Sequence, residues 1–136
     1  MAEIDLVTAI GKLLSDRELR AQFARDPADA AQQFGLSAHD ARSLAAVELA
    51  DLERQAEGLI AKRLHEVRKL LPETMQSLGD EGAELFRYYA LTIWPTGHRR
   101  HALDADGFLR FLAQNKIAQA PANERKQVKK LIHGKW

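Results

Sequence analysis

Cysteine is missing from the chain altogether. That excludes disulfides, thiolate zinc sites, cysteine-held iron–sulfur clusters and thiol nucleophiles. Long apolar runs are missing as well: no stretch approaches the ~20 residues needed to span a bilayer. The opening Met1-Ala-Glu-Ile-Asp lacks a basic region followed by an apolar core, so no secretory signal is expected and the cytoplasm is the simplest compartment. Proline is absent from Ala38 to Leu71, and Gly58 is the only glycine there, which leaves that stretch free to run as helix. Also absent are a glycine-rich phosphate loop, a Gly-x-Ser-x-Gly elbow and a His-Glu-x-x-His zinc motif. His65-Glu66 begins that last pattern, but Lys69 stands where the second histidine belongs. No self-sufficient catalytic centre and no cofactor are expected.

What is present is enough to fold. A chain of 136 residues fits one domain or two closely packed subdomains, and burial of roughly two-thirds of its unfolded surface needs no staple. The net charge of +1 conceals an asymmetry. Residues 1–60 carry 6 Lys/Arg against 11 Asp/Glu, a net −5, and residues 61–136 carry 14 against 8, a net +6. A basic half attracts nucleic acid or acidic peptides, and it equally attracts its own acidic half.

The apolar pattern is helical throughout, and the fold class is all-α. Leu6, Val7, Ile10, Leu13 and Leu14 give a first amphipathic helix. Ser15-Asp-Arg-Glu18 has the form of a capping box for a short helix with Leu19 and Phe23 inward. Asp26-Pro27 reads as an N-cap followed by proline at the first helical position, and Gly35 suits the left-handed C-terminal cap. Ser37 caps the next helix, with Asp40 in its first turn. A long helix follows from about Asp51 to Leu71, with Lys62, Arg63, Arg68 and Lys69 on its outer face, and Pro72 ends it. Beyond it the spacing predicts a short helix over Glu73–Leu78. A helix capped by Asp80 carries Leu85, Phe86, Tyr89, Ala90 and Ile93. A turn at Trp94–Gly97 precedes a helix from about Arg100 to Gln114 that buries Leu103, Phe108, Leu109 and Leu112. A terminal helix, Glu124–His133, turns Val128, Leu131 and Ile132 inward. The division, if any, falls near residue 50: a small acidic module over 1–50 and a basic domain over 51–136.

Three clusters carry candidate chemistry. His98 and His101 share one helix face, and Asp104 extends the stripe. A metal would need all three, and helix capping or a polar surface explains the same residues, so no metal is assigned. Phe86, Tyr88, Tyr89, Trp94, Phe108 and Phe111 concentrate beside Arg87, Arg99 and Arg100. Aromatic residues and arginine anchor partners, and they also build small helical cores. Phe86, Phe108 and Leu112 are read as core. Lys126, Lys129, Lys130 and Lys135 form a basic tail that phosphate contacts would explain.

Two stretches carry a resemblance. Leu13-Leu-Ser-Asp-Arg-Glu-Leu-Arg-Ala-Gln-Phe-Ala-Arg-Asp-Pro, continuing through Phe34-Gly-Leu-Ser37 to Leu44, resembles the helical module in the small subunit of protocatechuate 4,5-dioxygenase and leader regions of some ribosomally made peptides. Leu70-Leu-Pro-Glu-Thr-Met, Leu85-Phe-Arg-Tyr-Tyr, Trp94-Pro and Gly107-Phe-Leu-Arg-Phe-Leu112 are similar to helical helper proteins of multinuclear non-haem iron oxidative enzymes in ribosomal-peptide biosynthesis. In those systems iron and chemistry belong to the partner enzyme, and the helper engages the enzyme and the precursor peptide. Related domains also carry a DNA-binding label. The resemblance implies a non-catalytic accessory protein that docks on a larger enzyme as a heterodimer and helps engage its peptide. The acidic N-terminal module and the aromatic–arginine segment beside the Trp94–Gly97 turn are the expected contact surfaces, with Tyr89, Trp94, His98, Arg99, Arg100 and His101 as partner-binding residues. A nucleic-acid-binding regulator using the basic half is the alternative, and no membrane partner is expected.

Overall fold

A computed structural model describes residues 4–134. Residues 1–3 and 135–136, among them Lys135 of the basic tail, lie outside the described residues. Among the described residues the chain forms nine helices and no strand, as the helical period requires. Two compact units divide within the long helix, between Leu59 and Ile60, rather than at its start.

The first unit holds α1 (Leu6–Ser15), α2 (Arg17–Arg25), α3 (Pro27–Phe34), α4 (Ala38–Ala45) and the beginning of α5 (Leu49–Leu70). Its core is Leu13, Phe23, Ala30, Ala31, Leu44 and Leu52, with Leu6, Ile10, Leu19 and Phe34 packed at the margin. Single residues, Asp16 and Asp26, link α1 to α2 and α2 to α3 and also serve as caps, and three-residue connections join α3 to α4 and α4 to α5. Asp26 closes α2 and accepts from the Asp29 amide to open α3, with Pro27 behind it. Gly35 stops α3 at φ 72°, a conformation that favours glycine. Ser37 Oγ accepts from the Asp40 amide.

The capping box at Ser15 is corrected. Ser15 is still helical, and its hydroxyl turns back to donate to the carbonyls of Gly11 and Lys12. Asp16, with extended backbone, is the cap: its Oδ1 accepts from the Glu18 and Leu19 amides at 2.9 and 3.2 Å. The open end of α1 is closed from a distance. Arg20, 5 % exposed, donates from Nη1 to the carbonyls of Leu13 and Leu14 at 2.8 and 2.9 Å, and forms an ion pair with Glu53 at 3.4 Å. A cation there also complements the negative end of the helix dipole.

The second unit contains the rest of α5 with α6 (Pro72–Leu78), α7 (Glu81–Ala90), α8 (Arg100–Gln114) and α9 (Ala122–His133). Val67, Leu71, Met75, Phe86, Tyr89, Phe108, Leu112 and Val128 form its core. Edge-to-face packing of Phe86 on Phe108, with centroids 5.3 Å apart, sits at its centre. Pro72 does break the long helix, and it then serves as the first residue of α6. Leu71 at that N-cap has no side chain able to accept, so Glu124 of α9 substitutes. Its buried carboxylate takes the Glu73 and Thr74 amides at 2.7 and 3.1 Å and the Thr74 hydroxyl.

Three expectations for this unit are corrected. Asp80 makes no side-chain cap bond, because its backbone is already helical. Leu103 is 38 % exposed, lying outside the stripe defined by Ala105, Phe108, Leu109 and Leu112. Ile93 falls after the end of α7 and is 46 % exposed. None of the helices among the described residues is long and apolar enough to cross a membrane.

Candidate functional site

The residues between α7 and α8 are placed by a cation the helical pattern puts on the wrong side. Arg63 was expected on the outer face of α5, yet it is 8 % exposed. Its guanidinium forks onto Asp104 of α8, with Nε to Oδ2 at 2.8 Å and Nη2 to Oδ1 at 2.7 Å. Nη1 also donates to the Ala90 carbonyl at 3.3 Å and Nη2 to the Ile93 carbonyl at 2.7 Å. Burial of a charge is tolerated here because the partner is opposite in sign and bidentate, and the remaining donors find carbonyls. The end of α7 and the start of the connection to α8 are thereby fixed to α5.

That fixation also places two of the expected partner-binding residues. Trp94 is half-buried, its ring lying 4.6 Å from the Arg63 guanidinium carbon. Tyr89 is withdrawn from the surface: it is 5 % exposed and donates its hydroxyl to Asp104 Oδ1 at 3.0 Å. Burial, the nearby Asp104 charge and that hydrogen bond push its phenol well above the ordinary range. Gly107 makes the approach feasible, since a Cβ there would collide with the Tyr89 hydroxyl.

The remaining four lie around the start of α8. Arg99 is half-buried and committed to α9, donating to the carbonyls of Ile132 and Gly134 and so closing that helix's C-terminus. Arg100 is exposed and donates to the Gly97 carbonyl at 3.0 Å. His98 is exposed and His101 half-buried, and both line a groove with Arg99, Glu66, Lys69 and the apolar Leu70, Ala102 and Leu131. His101 Nδ1 is buried there without a hydrogen-bond partner. Lys69 donates to Glu66 at 3.2 Å, and that bond chiefly holds the Glu66 carboxyl below its usual range.

The His98/His101/Asp104 stripe does not assemble as a ligand set. Asp104 is 1 % exposed, with its oxygens engaged by Arg63 and Tyr89, while His98 faces solvent. Among the described residues no three His, Asp or Glu side chains gather as a cation's ligands.

A second groove runs along α7 and α8, lined by Tyr88, Thr92, Ile93, Phe111, Gln114 and Asn115, with the edge of Tyr89. Tyr88 is 73 % exposed, its ring 6.0 Å from that of Phe111, which in turn stacks on Tyr89 at 6.2 Å. Arg110 lies on its rim, paired with Asp106 at 2.7 Å. Sequence reasoning named Tyr88 and Phe111 among the aromatics but not as a site. The available signal was the adjacent Tyr88-Tyr89 pair, whose two rings must point in different directions from one helix. Thus the expected residues divide: His98, Arg99 and His101 share one groove, Tyr89 touches the other, and Trp94 and Arg100 line neither. No family model, curated protein or solved structure matches the chain.

Proposed function

We propose that this chain is a non-catalytic accessory protein that docks on a larger, iron-dependent peptide-modifying enzyme and helps engage that enzyme's peptide substrate. One observation carries the reading: the aromatic groove along α7 and α8, where Tyr88 and Ile93 remain 73 % and 46 % exposed beside Phe111. A tyrosine with an apolar body and a free hydroxyl edge is the type of side chain that anchors interfaces. The groove belongs to a fixed framework, because Arg63 ties the end of α7 to α8 through Asp104, and a preorganised surface loses less entropy on docking. The buried charges Arg20, Arg63, Asp104 and Glu124 are each engaged in internal bonds, which gives them structural work.

The test is co-purification of the tagged chain from its own cells, with mass spectrometry and metal analysis of what is retained. A stoichiometric iron-containing enzyme, lost in Tyr88→Ser, is the expected result. An unchanged complex in Tyr88→Ser would remove this groove as the contact, and no enzyme partner would remove the reading. The nucleic-acid alternative is favoured by α9, which exposes Arg125, Lys126, Lys129 and Lys130 on successive turns. It predicts duplex binding whose logarithmic affinity falls by about 0.9 per phosphate contact for each unit of log salt.

A further inference from the structure

We infer that the groove lined by Lys69, His98, Arg99 and His101 is a binding site for an acidic peptide segment, seated with its carboxylates on those groups and an apolar side chain on Leu70 and Leu131. The inference rests on the docking reading in one respect, that the segment belongs to the complex the chain joins.

Charge complementarity supports the occupant. Lys69 and Arg99 are cationic and His98 and His101 offer imidazole nitrogens, against a single carboxylate, Glu66, whose pairing with Lys69 leaves Arg99 as the surplus charge of the lining. Arg99 bonds to main-chain carbonyls rather than to a carboxylate, so its positive charge is not neutralised by an anionic side chain. The sequence framing the groove, residues 61–136, carries 14 Lys/Arg against 8 Asp/Glu, a field that draws anionic partners in and raises their encounter rate. His101 Nδ1 is a buried polar atom without a partner, and buried polar groups in folded proteins are bonded as a rule.

The apolar part of the lining selects peptide over nucleic acid. Leu70, Ala102 and Leu131 offer nothing to a phosphate, but they accept an aliphatic side chain placed between two carboxylates. Segments that alternate acidic and aliphatic residues match that mixture.

The probe is a short fluorescein-labelled peptide of alternating glutamate and leucine, its C-terminus amidated, beside a lysine–leucine version of the same length. Anisotropy with the whole protein should show binding of the acidic peptide alone, weakening as salt rises. Reversing a groove charge in Lys69→Glu, or adding a negative one in His98→Glu, should weaken it about tenfold or more. Both residues are exposed, so far-UV circular dichroism should stay unchanged. Lys126→Glu makes the same charge change as Lys69→Glu outside the groove lining and should shift affinity by about twofold or less. Equal losses in Lys69→Glu and Lys126→Glu would reduce the effect to net charge and overturn the site. So would no binding at low salt, or displacement of the peptide by a short DNA duplex that depends on Lys69 and binds more tightly. The peptide assay needs no enzyme partner, whereas loss of the enzyme in Tyr88→Ser needs no peptide, so each reading fails separately.

Discussion

Arg63 and Asp104 stand 41 residues apart in the chain and meet as a two-pronged pair, with side chains 10 % and 2 % exposed. Removal of one partner leaves the other charge buried and unmatched, which costs about 3–5 kcal/mol where it has been measured in other proteins. Asp104→Ala and Arg63→Ala are each expected to lose that much in urea denaturation. The double change Arg63→Met with Asp104→Leu should lose much less than the sum, because no orphan charge remains. A single-variant loss under about 1 kcal/mol, typical of an exposed pair, would mean that water reaches the carboxylate.

Gly107 and Tyr89 are coupled through space rather than through a bond. Gly107→Ala puts a methyl group against the Tyr89 ring and hydroxyl, with the ring carbons Cε1 and Cζ 3.1 Å away. The ring must shift, and its hydrogen bond to Asp104 goes with it. A loss of about 1–3 kcal/mol is expected for overpacking of this kind. Tyr89→Phe alone should lose about 1.5–3 kcal/mol, the range for a hydrogen bond to a charged group. In the double variant the costs should be less than additive, since the clashing oxygen is gone. Strict additivity would show that the two side chains do not meet.

How much of this was legible follows from where each signal sits. Asp26-Pro27, Gly35, Ser37 and Pro72 act on their own helix ends, so the cap and its target lie within a few residues, and the sequence pattern finds them. Ser15 misled because Asp16, an equally good cap, stands beside it. Arg63 and Glu124 were illegible for a different reason: their partners lie 41 and 50 residues away, and a charged residue on a helix carries a solvent-facing prior. The same gap hid the internal partners of the aromatic–arginine segment. Tyr89, Trp94 and Arg99 look like a contact patch by composition, and the fold uses them to hold Asp104, Arg63 and the end of α9. Periodicity identified the core stripe of α8 through Phe108 and Leu112, but it could not show that Leu103 falls outside it.

The Tyr89 phenol predicts an alkaline limit to stability. Its folded value is raised by burial first, then by the Asp104 charge, while the unfolded phenol ionises near pH ~10. The unfolded chain therefore releases this proton first. The stabilising contribution is complete below about pH 10 and declines as the pH climbs above it. With only 2 tyrosines in the chain, the Tyr88→Phe background isolates Tyr89. Tyrosinate absorbance and far-UV circular dichroism should then change together as pH rises. Tyrosinate appearing near pH 10 in a fully helical protein would show that the phenol is open to solvent.

Trp94 and Tyr88 should respond in opposite ways to truncation, and the contrast separates structural residues from contact residues. Trp94 covers the Arg63 guanidinium at 4.6 Å, so Trp94→Ala uncovers a buried cation. A desolvated cation–π contact contributes up to about 2 kcal/mol, and the lost ring packing adds to it. A lower melting temperature is expected whether or not a partner binds nearby. Tyr88→Ser and Arg100→Glu change exposed side chains and should leave stability within about 0.5 kcal/mol of the parent. Thermal unfolding followed by circular dichroism, run on the same preparations used for partner capture, decides the matter. Capture lost in Tyr88→Ser at full stability marks a contact, because the fold is intact when the interface fails. A Tyr88→Ser protein destabilised by more than about 1 kcal/mol would assign the ring to packing on Phe111, and the groove would then be core rather than surface.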